Sequence, residues 1–351
     1  LIGGSGADTL IGGDLSGMTN FLTGGAGNDT ITSTDGTDRI VESLDDDFTL
    51  TRTSLATTSS GTDTLVVDTV SGSGDFEEVY LTGGASANDL DASAFTVTGA
   101  SVTLDGGGGD DTLKGGDQSG QTNVLTGGTG NDTIISTAGT DRIVESGDVD
   151  FTLTSSSLFS SLTGTDTLVT DTLSGGGGAF EEAAITGGGS DNALDASGFS
   201  GNVTLNGSAG NDTLTGGSGN DLLEGKNAAD TLIGGAGADT LKGGDGDDAL
   251  TGGDGADSID GEADTDRVVE STNLHFTVTN SALELHDADS GRTLIETDTL
   301  TSVEGADLSG GDGANELDAS GATTIAVTLR GGGGDDTLTG GDSNDVLLGE
   351  L

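Results

Sequence analysis

The chain has no cysteine, no proline and no tryptophan, and only 9 basic residues stand against 61 acidic ones. Without cysteine there is no disulfide to staple the fold and no thiolate for a structural zinc site. Without proline, strands can be paired on both sides, since proline cannot donate to a ladder. Aromatics make up 3% of the 351 residues and the aliphatics are thinly spread, too little for a large central core. A one-dimensional ladder needs only one or two apolar side chains per half-turn. At a net charge of −52 there is no basic patch to meet phosphate, which argues against nucleic acid and anionic membrane surfaces as partners. No apolar run approaches the ~18 residues of a membrane helix, so no membrane insertion is expected. High charge with few bulky apolar residues is the composition of disorder, and that is the expected state of the metal-free chain.

What the chain has in abundance is glycine, 67 residues of it. The stretch 207–260 reads as six nonapeptides in a row: GSAGNDTLT, GGSGNDLLE, GKNAADTLI, GGAGADTLK, GGDGDDALT and GGDGADSID. Glycines or small residues mostly open each one, an acid stands at position six and an aliphatic at position eight. One aliphatic per nine residues cannot make an amphipathic helix, which needs apolar residues three and four apart. It suits a solenoid in which positions seven to nine form a short strand and a glycine-rich loop reverses the chain. Leu214, Leu223, Leu232, Leu241, Leu250 and Ile259 then stack as an internal ladder. Asp212, Asp221, Asp230, Asp239, Asp248 and Asp257 stack in the loops. Carboxylates piled at strand spacing, about 4.8 Å, repel unless a cation lies among them. Glycines permit positive φ, so the carbonyls of positions one, three and five can turn to one side. One such loop offers about half of the ~6–8 oxygens that calcium takes, and the loop stacked on it offers the rest.

The pattern GGxGxDxUx, with U aliphatic, resembles the RTX, or haemolysin-type, calcium-binding repeat. Nine copies carry every fixed position, beginning at Gly3, Gly24, Gly106, Gly127, Gly216, Gly234, Gly243, Gly252 and Gly331. The resemblance implies an all-β fold, a right-handed parallel β-roll or β-helix solenoid with calcium ions between stacked glycine-rich loops, two nonapeptides to the turn. As ligands it implies Asp8, Asp29, Asp111, Asp132, Asp212, Asp221, Asp230, Asp239, Asp248, Asp257, Asp336 and Asp345. To these it adds the backbone carbonyls of Gly216, Ser218, Gly234, Ala236, Gly243, Asp245, Gly252 and Asp254. Asp230 departs from the pattern, its loop reading GKNAAD, and Asp345 less so, with Ser343 in place of a glycine. Several Ca2+ ions are thus the expected cofactor, and folding is expected to depend on them, because an unfolded chain has no preformed site. Magnesium suits the loops less well, since it insists on octahedral geometry and keeps its water.

The chain as a whole is expected to be one continuous solenoid excerpted from a longer protein. Leu1 and Ile2 read as the end of a repeat, and Gly349 and Glu350 as the start of another. RTX turns are expected at 1–45, 106–146, 207–269 and 331–351, with irregular β-helix connectors at 46–105, 147–206 and 270–330. The segment 12–23, GGDLSGMTNFLT, carries a three-residue insertion and has Asn20 where the aspartate is due, so its metal binding is expected to be weak or absent. Residues 33–41 keep Gly36, Asp38 and Ile40 without the opening glycines, and both a decayed repeat and a working half-site remain open. In the connectors, 48–51 and 62–70 alternate as strands. They read as longer turns of the same solenoid, since a separate domain this poor in bulky apolar residues would struggle to fold. The block GGAGNDTITSTDGTDRIVES at Gly24 recurs at Gly127 and, more loosely, at Gly252. LTGGASANDLDAS at 81–93 recurs in kind at 185–197 and 308–320, which makes three long modules.

Arg39, Arg142 and Arg267 each precede a glutamate by three residues and read as members of surface ion pairs, worth ~0–1 kcal/mol each. Phe48, Phe151 and Phe276 recur at equivalent positions as core plugs, and His275 and His286 read as surface residues. Glu77–Glu78 and Glu181–Glu182 are acid pairs of the kind glycosidases use. No aromatic-lined cleft accompanies them, no nucleophile elbow or HExxH is present, and no catalytic residue is assigned. The best reading is a calcium-binding structural region of a large secreted or cell-surface protein: an adhesin stalk, surface layer or extracellular filament. The alternative is the calcium-dependent folding and secretion module of an RTX toxin or secreted hydrolase, exported by a bacterial type I system. Ice binding by outward arrays is disfavoured, because Ser5/Ala7, Ala26/Asn28, Asp245/Asp247 and Asp254/Ala256 do not form a regular one. Further copies of the chain, end to end or side by side, are candidate partners, since unpaired terminal strands are templates for another chain.

Overall fold

The computed structural model describes residues 1–13, 18–26, 28–33, 37–44, 48–51, 54–57, 61–66, 76–117, 119–147, 151–154, 156–160, 164–170, 180–287 and 293–350. They fall into two compact units: Leu1–Glu145 with Ser155–Ala184, and Ser146–Thr154 with Ile185–Leu351. The described residues form strands and turns only, and no helix among them is long and apolar enough to cross a membrane. Each unit is a parallel β-solenoid.

In the second unit the nonapeptides do what their period dictates. Thr213–Thr215, Thr231–Ala236 and Ala249–Asp254 lie in parallel, with Leu214 opposite Leu232 and Leu232 opposite Leu250. Leu222–Asn227, Thr240–Asp245 and Ser258–Ala263 form a second stack, with Leu223 opposite Leu241 and Leu241 opposite Ile259. Stacked residues are 18 apart in sequence, so two nonapeptides make a turn and alternate repeats feed opposite sheets. All six aliphatics are fully buried, each contributing about 1.5–3 kcal/mol by leaving water.

In the first unit Leu10 lies opposite Ile31, and Leu113 opposite Ile134. The spacing there is 21 residues, and the excess is the three-residue insertions in 12–23 and 115–126. Of these segments, 14–17 and 118 lie outside the described residues. Register then recovers, with Asn20 opposite Asp38 and Asn123 opposite Asp141, again 18 apart.

The connectors are not simply longer parallel turns, and that expectation is corrected. In the first unit Phe48–Thr51, Ser54–Thr57 and Gly61–Val66 run antiparallel to one another, as do Ser157–Ser160 and Gly164–Thr170. In the second, His275–Thr279, Ala282–His286 and Leu294–Thr301 form the same kind of meander. Each complete meander is spliced into a parallel stack. Its last strand lies against the preceding repeat (Ile31 opposite Leu65, Ile259 opposite Leu300) and its first against the following coil (Phe48 opposite Leu90, Phe276 opposite Leu317). The cause is local: Asn280 and Ser281 separate two alternating strands by two residues, the loop length of an antiparallel hairpin. Of the strand expected at 62–70, residues 67–70 lie outside the described residues.

The core thickens at these splices. Phe151 and Phe276 are buried as plugs, while the side chain of Phe48 lies outside the described residues. Phe76, Phe95, Phe180 and Phe199 are equally buried. In the LDAS segments the carboxylates of Asp91, Asp195 and Asp318 accept the N–H of the serine two residues on, at 2.8, 2.9 and 2.9 Å. Such local side-chain turns draw the chain off its strand.

Candidate metal centres

The loops that carry position six follow a path that favours glycine. Gly235 and Gly253 sit at φ +112° and +97°, and a Cβ on either would strike the carbonyl oxygen of the glycine one turn earlier, Gly217 or Gly235. Loops that lack those glycines take the same path, with Lys226 and Ala228 at φ 86° and 78° and Glu262 and Asp264 at 69° and 79°. A residue held there costs about 1–2 kcal/mol, so stacking, not the local residue, dictates the loop. The GKNAAD loop, doubtful by sequence, therefore places Asp230 in line with its neighbours.

The aspartates form ladders along both edges of the 207–269 run. The N–H of Asp212 donates to Oδ1 of Asp230 (2.7 Å), Asp230 to Asp248 (2.7 Å) and Asp248 to Asp266 (2.9 Å). On the other edge Asp221 donates to Asp239 (2.8 Å), Asp239 to Asp257 (2.8 Å) and Asp257 to Asp298 (3.0 Å). Asp8 donates to Asp29, and Asp111 to Asp132, both at 2.7 Å. Asp336 accepts from Asn315 at 2.9 Å. Each accepting carboxylate thus spends one oxygen on the preceding turn; Asp8 enters only as a backbone donor.

The second oxygen is left over. Oδ2 of Asp8, Asp111, Asp230, Asp239, Asp248, Asp257, Asp266, Asp298 and Asp336 is buried and accepts no hydrogen bond. In the run it lies against the Cα of the first glycine of its own loop, in space that a Cβ on Gly225, Gly234, Gly243 or Gly252 would fill. A buried acceptor without a donor costs about 1–3 kcal/mol, more when charged. Burial pushes the carboxyl of Asp230 up to about 7, and the charges of Asp248 and Asp212 push the same way. Asp111, Asp239 and Asp248 are pushed to about 6, and Asp266 and Asp298 to about 7, again chiefly by burial. What each lacks is a positive partner.

The donor set fits a hard cation. It consists of oxygen alone, and among the described residues no three acidic or histidine side chains converge as a metal cage. A cation bound here would draw mainly on loop carbonyls with a carboxylate from each turn, a donor set that suits calcium. The expected carbonyl donors lie in these loops. The carbonyls of Gly234, Gly243 and Gly252 overlie the first glycines of the turn before. That of Asp254 accepts the N–H of Gly237 at 2.8 Å and keeps its second lone pair. Ala236 stands opposite Asp254 in the ladder, Asp245 opposite Asn227, and Gly216 and Ser218 open the loop below.

Two expected ligands differ. Asp221 and Asp345 have donors on both oxygens, Val203 (2.8 Å) and Gly217 (2.7 Å) for the first, Val327 (3.0 Å) and Gly341 (2.7 Å) for the second. Asp266 and Asp298 were missed. Asp266 follows Asp257 by one nonapeptide, a legible signal, but its loop GEADTD keeps only the first of the glycines. Asp298 reaches the ladder only through the meander, 41 residues after Asp257.

The acid pairs have backbone tasks. Glu77 accepts the N–H of Asp38 (2.7 Å), Glu181 that of Asp141 (2.9 Å) and Glu304 that of Asp266 (3.0 Å), each ending a ladder. Arg39 pairs with Glu78 and stands over the rings of Phe21 and Tyr80, 4.8 and 4.7 Å from their centres, and Arg267 approaches Asp307 at 3.8 Å. The glutamate three residues after the arginine is not the ion-pair partner seen for either, because residues three apart on a strand face opposite ways. Instead Glu42, Glu145 and Glu270 are buried and accept N–H groups of Gly24, Gly127 (2.6 Å) and Gly253 (3.3 Å). His275 and His286 are half-buried cross-strand neighbours rather than simple surface residues, and His275 Nδ1 accepts the N–H of Glu316 at 2.7 Å.

A family model of four RTX calcium-binding nonapeptide repeats matches residues 1–14, 16–48, 98–121, 119–144, 197–232, 224–259, 233–268 and 328–351, more than half of the chain. No curated protein matches it. Such repeats imply calcium binding and are typical of secreted proteins. With stacked glycine loops, an aliphatic ladder and acids in register, the chain belongs to the RTX calcium-binding nonapeptide repeat family.

Proposed function

We propose that the chain is a calcium-folded structural stretch of a large secreted or cell-surface protein, such as an adhesin stalk, a surface layer or a filament. The observation that carries this reading is the ladder of buried carboxylates whose second oxygens have no donor. The position-six aspartates with their loop carbonyls are the proposed ligands, each ion lying between loops one turn apart. Without metal the ladder repels itself and the thin aliphatic core does not hold it. A structural role is supported by the recurrence of repeats followed by a spliced meander, and by acid pairs whose first members are occupied with backbone N–H groups.

Circular dichroism across a calcium titration tests the reading. A coil spectrum is expected in chelator and a β spectrum in calcium, with a midpoint of about 10⁻⁴–10⁻³ M, the range of extracellular calcium modules. A β spectrum that persists in excess chelator contradicts it.

A further inference from the structure

The first unit holds two turns in which the ladder is completed without a cation. Asn123 is opposite Asp141, and both are fully buried. The Asn123 amide nitrogen donates to Asp141 Oδ1 (2.6 Å) and lies 3.1 Å from the Gly116 carbonyl and 3.2 Å from Thr137 Oγ1. Its carbonyl oxygen accepts the N–H of Gly116 (2.9 Å), and Asp141 Oδ2 accepts the N–H of Thr137 (2.7 Å). Thr137 Oγ1 in turn donates to the Gly116 carbonyl at 2.8 Å. One nitrogen thus lies among a carboxylate, a loop carbonyl and a hydroxyl from two successive loops, the first two being the kinds of oxygen proposed above as calcium ligands in the run at 207–269. Asn20 repeats the arrangement, donating to Asp38 Oδ1 (2.7 Å) and to the Gly13 carbonyl (3.3 Å).

Asparagine at position six is not sufficient for this. Asn88 and Asn315 also stand in the ladder, but there the backbone N–H, not the side-chain amide, donates to the acid of the next turn, Asp111 (2.7 Å) and Asp336 (2.9 Å). The aspartates that follow them, Asp111 and Asp336, keep a buried Oδ2 without a donor. The difference goes with the twelve-residue repeats: there the Asn20 and Asn123 side chains, not the backbone N–H, donate to the acid of the next turn.

We propose that Asn20 and Asn123 are amide substitutes for calcium, so that the turns they share with Asp38 and Asp141 are metal-free positions within an otherwise calcium-loaded solenoid. An amide N–H supplies the positive end that the carboxylate needs at no net charge, so in the folded chain the turn closes without an ion of its own. These residues thereby set which loops load, and the proposal rests on the calcium reading above.

The test counts ions bound to the full chain by native mass spectrometry at saturating calcium. Asp141→Asn is expected to leave the count unchanged, because its partner is an amide, whereas Asp248→Asn is expected to lower it. Asn123→Asp, which replaces the amide by a second carboxylate, is expected to raise the count by one. A lower count in Asp141→Asn, or an unchanged count in a folded Asn123→Asp chain, overturns the proposal. Should Asn123→Asp fail to fold, the Asp141→Asn and Asp248→Asn pair still decides. A wild-type chain that binds no calcium overturns the functional reading instead, a separate result.

Discussion

Within the second unit, the repeats at 207–269 and the meander that follows close their turns by different physics. The repeats bury one aliphatic per nonapeptide and, at Asp230, Asp239, Asp248 and Asp257, align carboxylates whose second oxygens lack donors. The meander buries Phe276, Val278, Leu283, Leu285 and Leu300 within three strands, with a two-residue hairpin turn. The first solution leaves a charge at successive turns that an ion must answer, and the second relies mainly on apolar burial and strand pairing, with Asp298 its carboxylate in the ladder. A solenoid can lean more heavily on metal in one stretch than in the next.

Chelation should separate them most sharply. Amide hydrogen exchange of the full chain is expected to show protection lost at Leu214, Leu232 and Leu250 at a higher calcium concentration than at Val278 and Leu283. Simultaneous loss breaks the comparison. Phe276→Ala comes next, with an expected cost of about 3–5 kcal/mol by denaturant unfolding in saturating calcium. Its calcium midpoint should shift less than that of Leu232→Ala, whose cost of about 2–5 kcal/mol falls where ions and core act together.

Acidity sharpens the contrast further. Burial holds the carboxyls of Asp230, Asp266 and Asp298 at about 7 in the metal-free fold, against about 3.9 for an unfolded aspartate. The fold therefore binds protons more tightly than the coil does. Its metal-free form gains stability as pH falls below about 7 and loses it as pH rises through that value. Protons and calcium compete for the same oxygens, so the calcium midpoint is expected to move higher between pH 8 and pH 6. Titrations followed by circular dichroism check this, and a midpoint that falls contradicts it. The smallest effect is at Ala228, held at φ 78°. Ala228→Gly is expected to raise stability in calcium by up to about 1 kcal/mol, read from the denaturation midpoint.

The period of the run was legible because one aliphatic and one acid recur every nonapeptide, which fixes ladder, register and candidate ligands together. Leu214, Leu232 and Leu250 stack as the pattern requires. The meanders were less legible, because short alternating strands look alike in a parallel turn and in a hairpin. Only the two-residue spacing at Asn280 and Ser281 distinguished them. Asp298 had no local signal, since its place depends on how many strands intervene. The two kinds of asparagine share a residue type and differ in whether the backbone N–H or the side-chain amide reaches the next acid, which residue type alone does not signal. The spacing from each arginine to the glutamate three residues on resembles an ion pair, but strand parity turns Glu42, Glu145 and Glu270 inward to backbone N–H groups.

A structure at saturating calcium tests the central claim most directly. The account predicts an ion between loops one turn apart along both edges of 207–269, about 2.3–2.6 Å from the carboxylates of Asp230, Asp239, Asp248 and Asp257. Those carboxylates buried in the same ladder, with no cation beside their second oxygens, would contradict it.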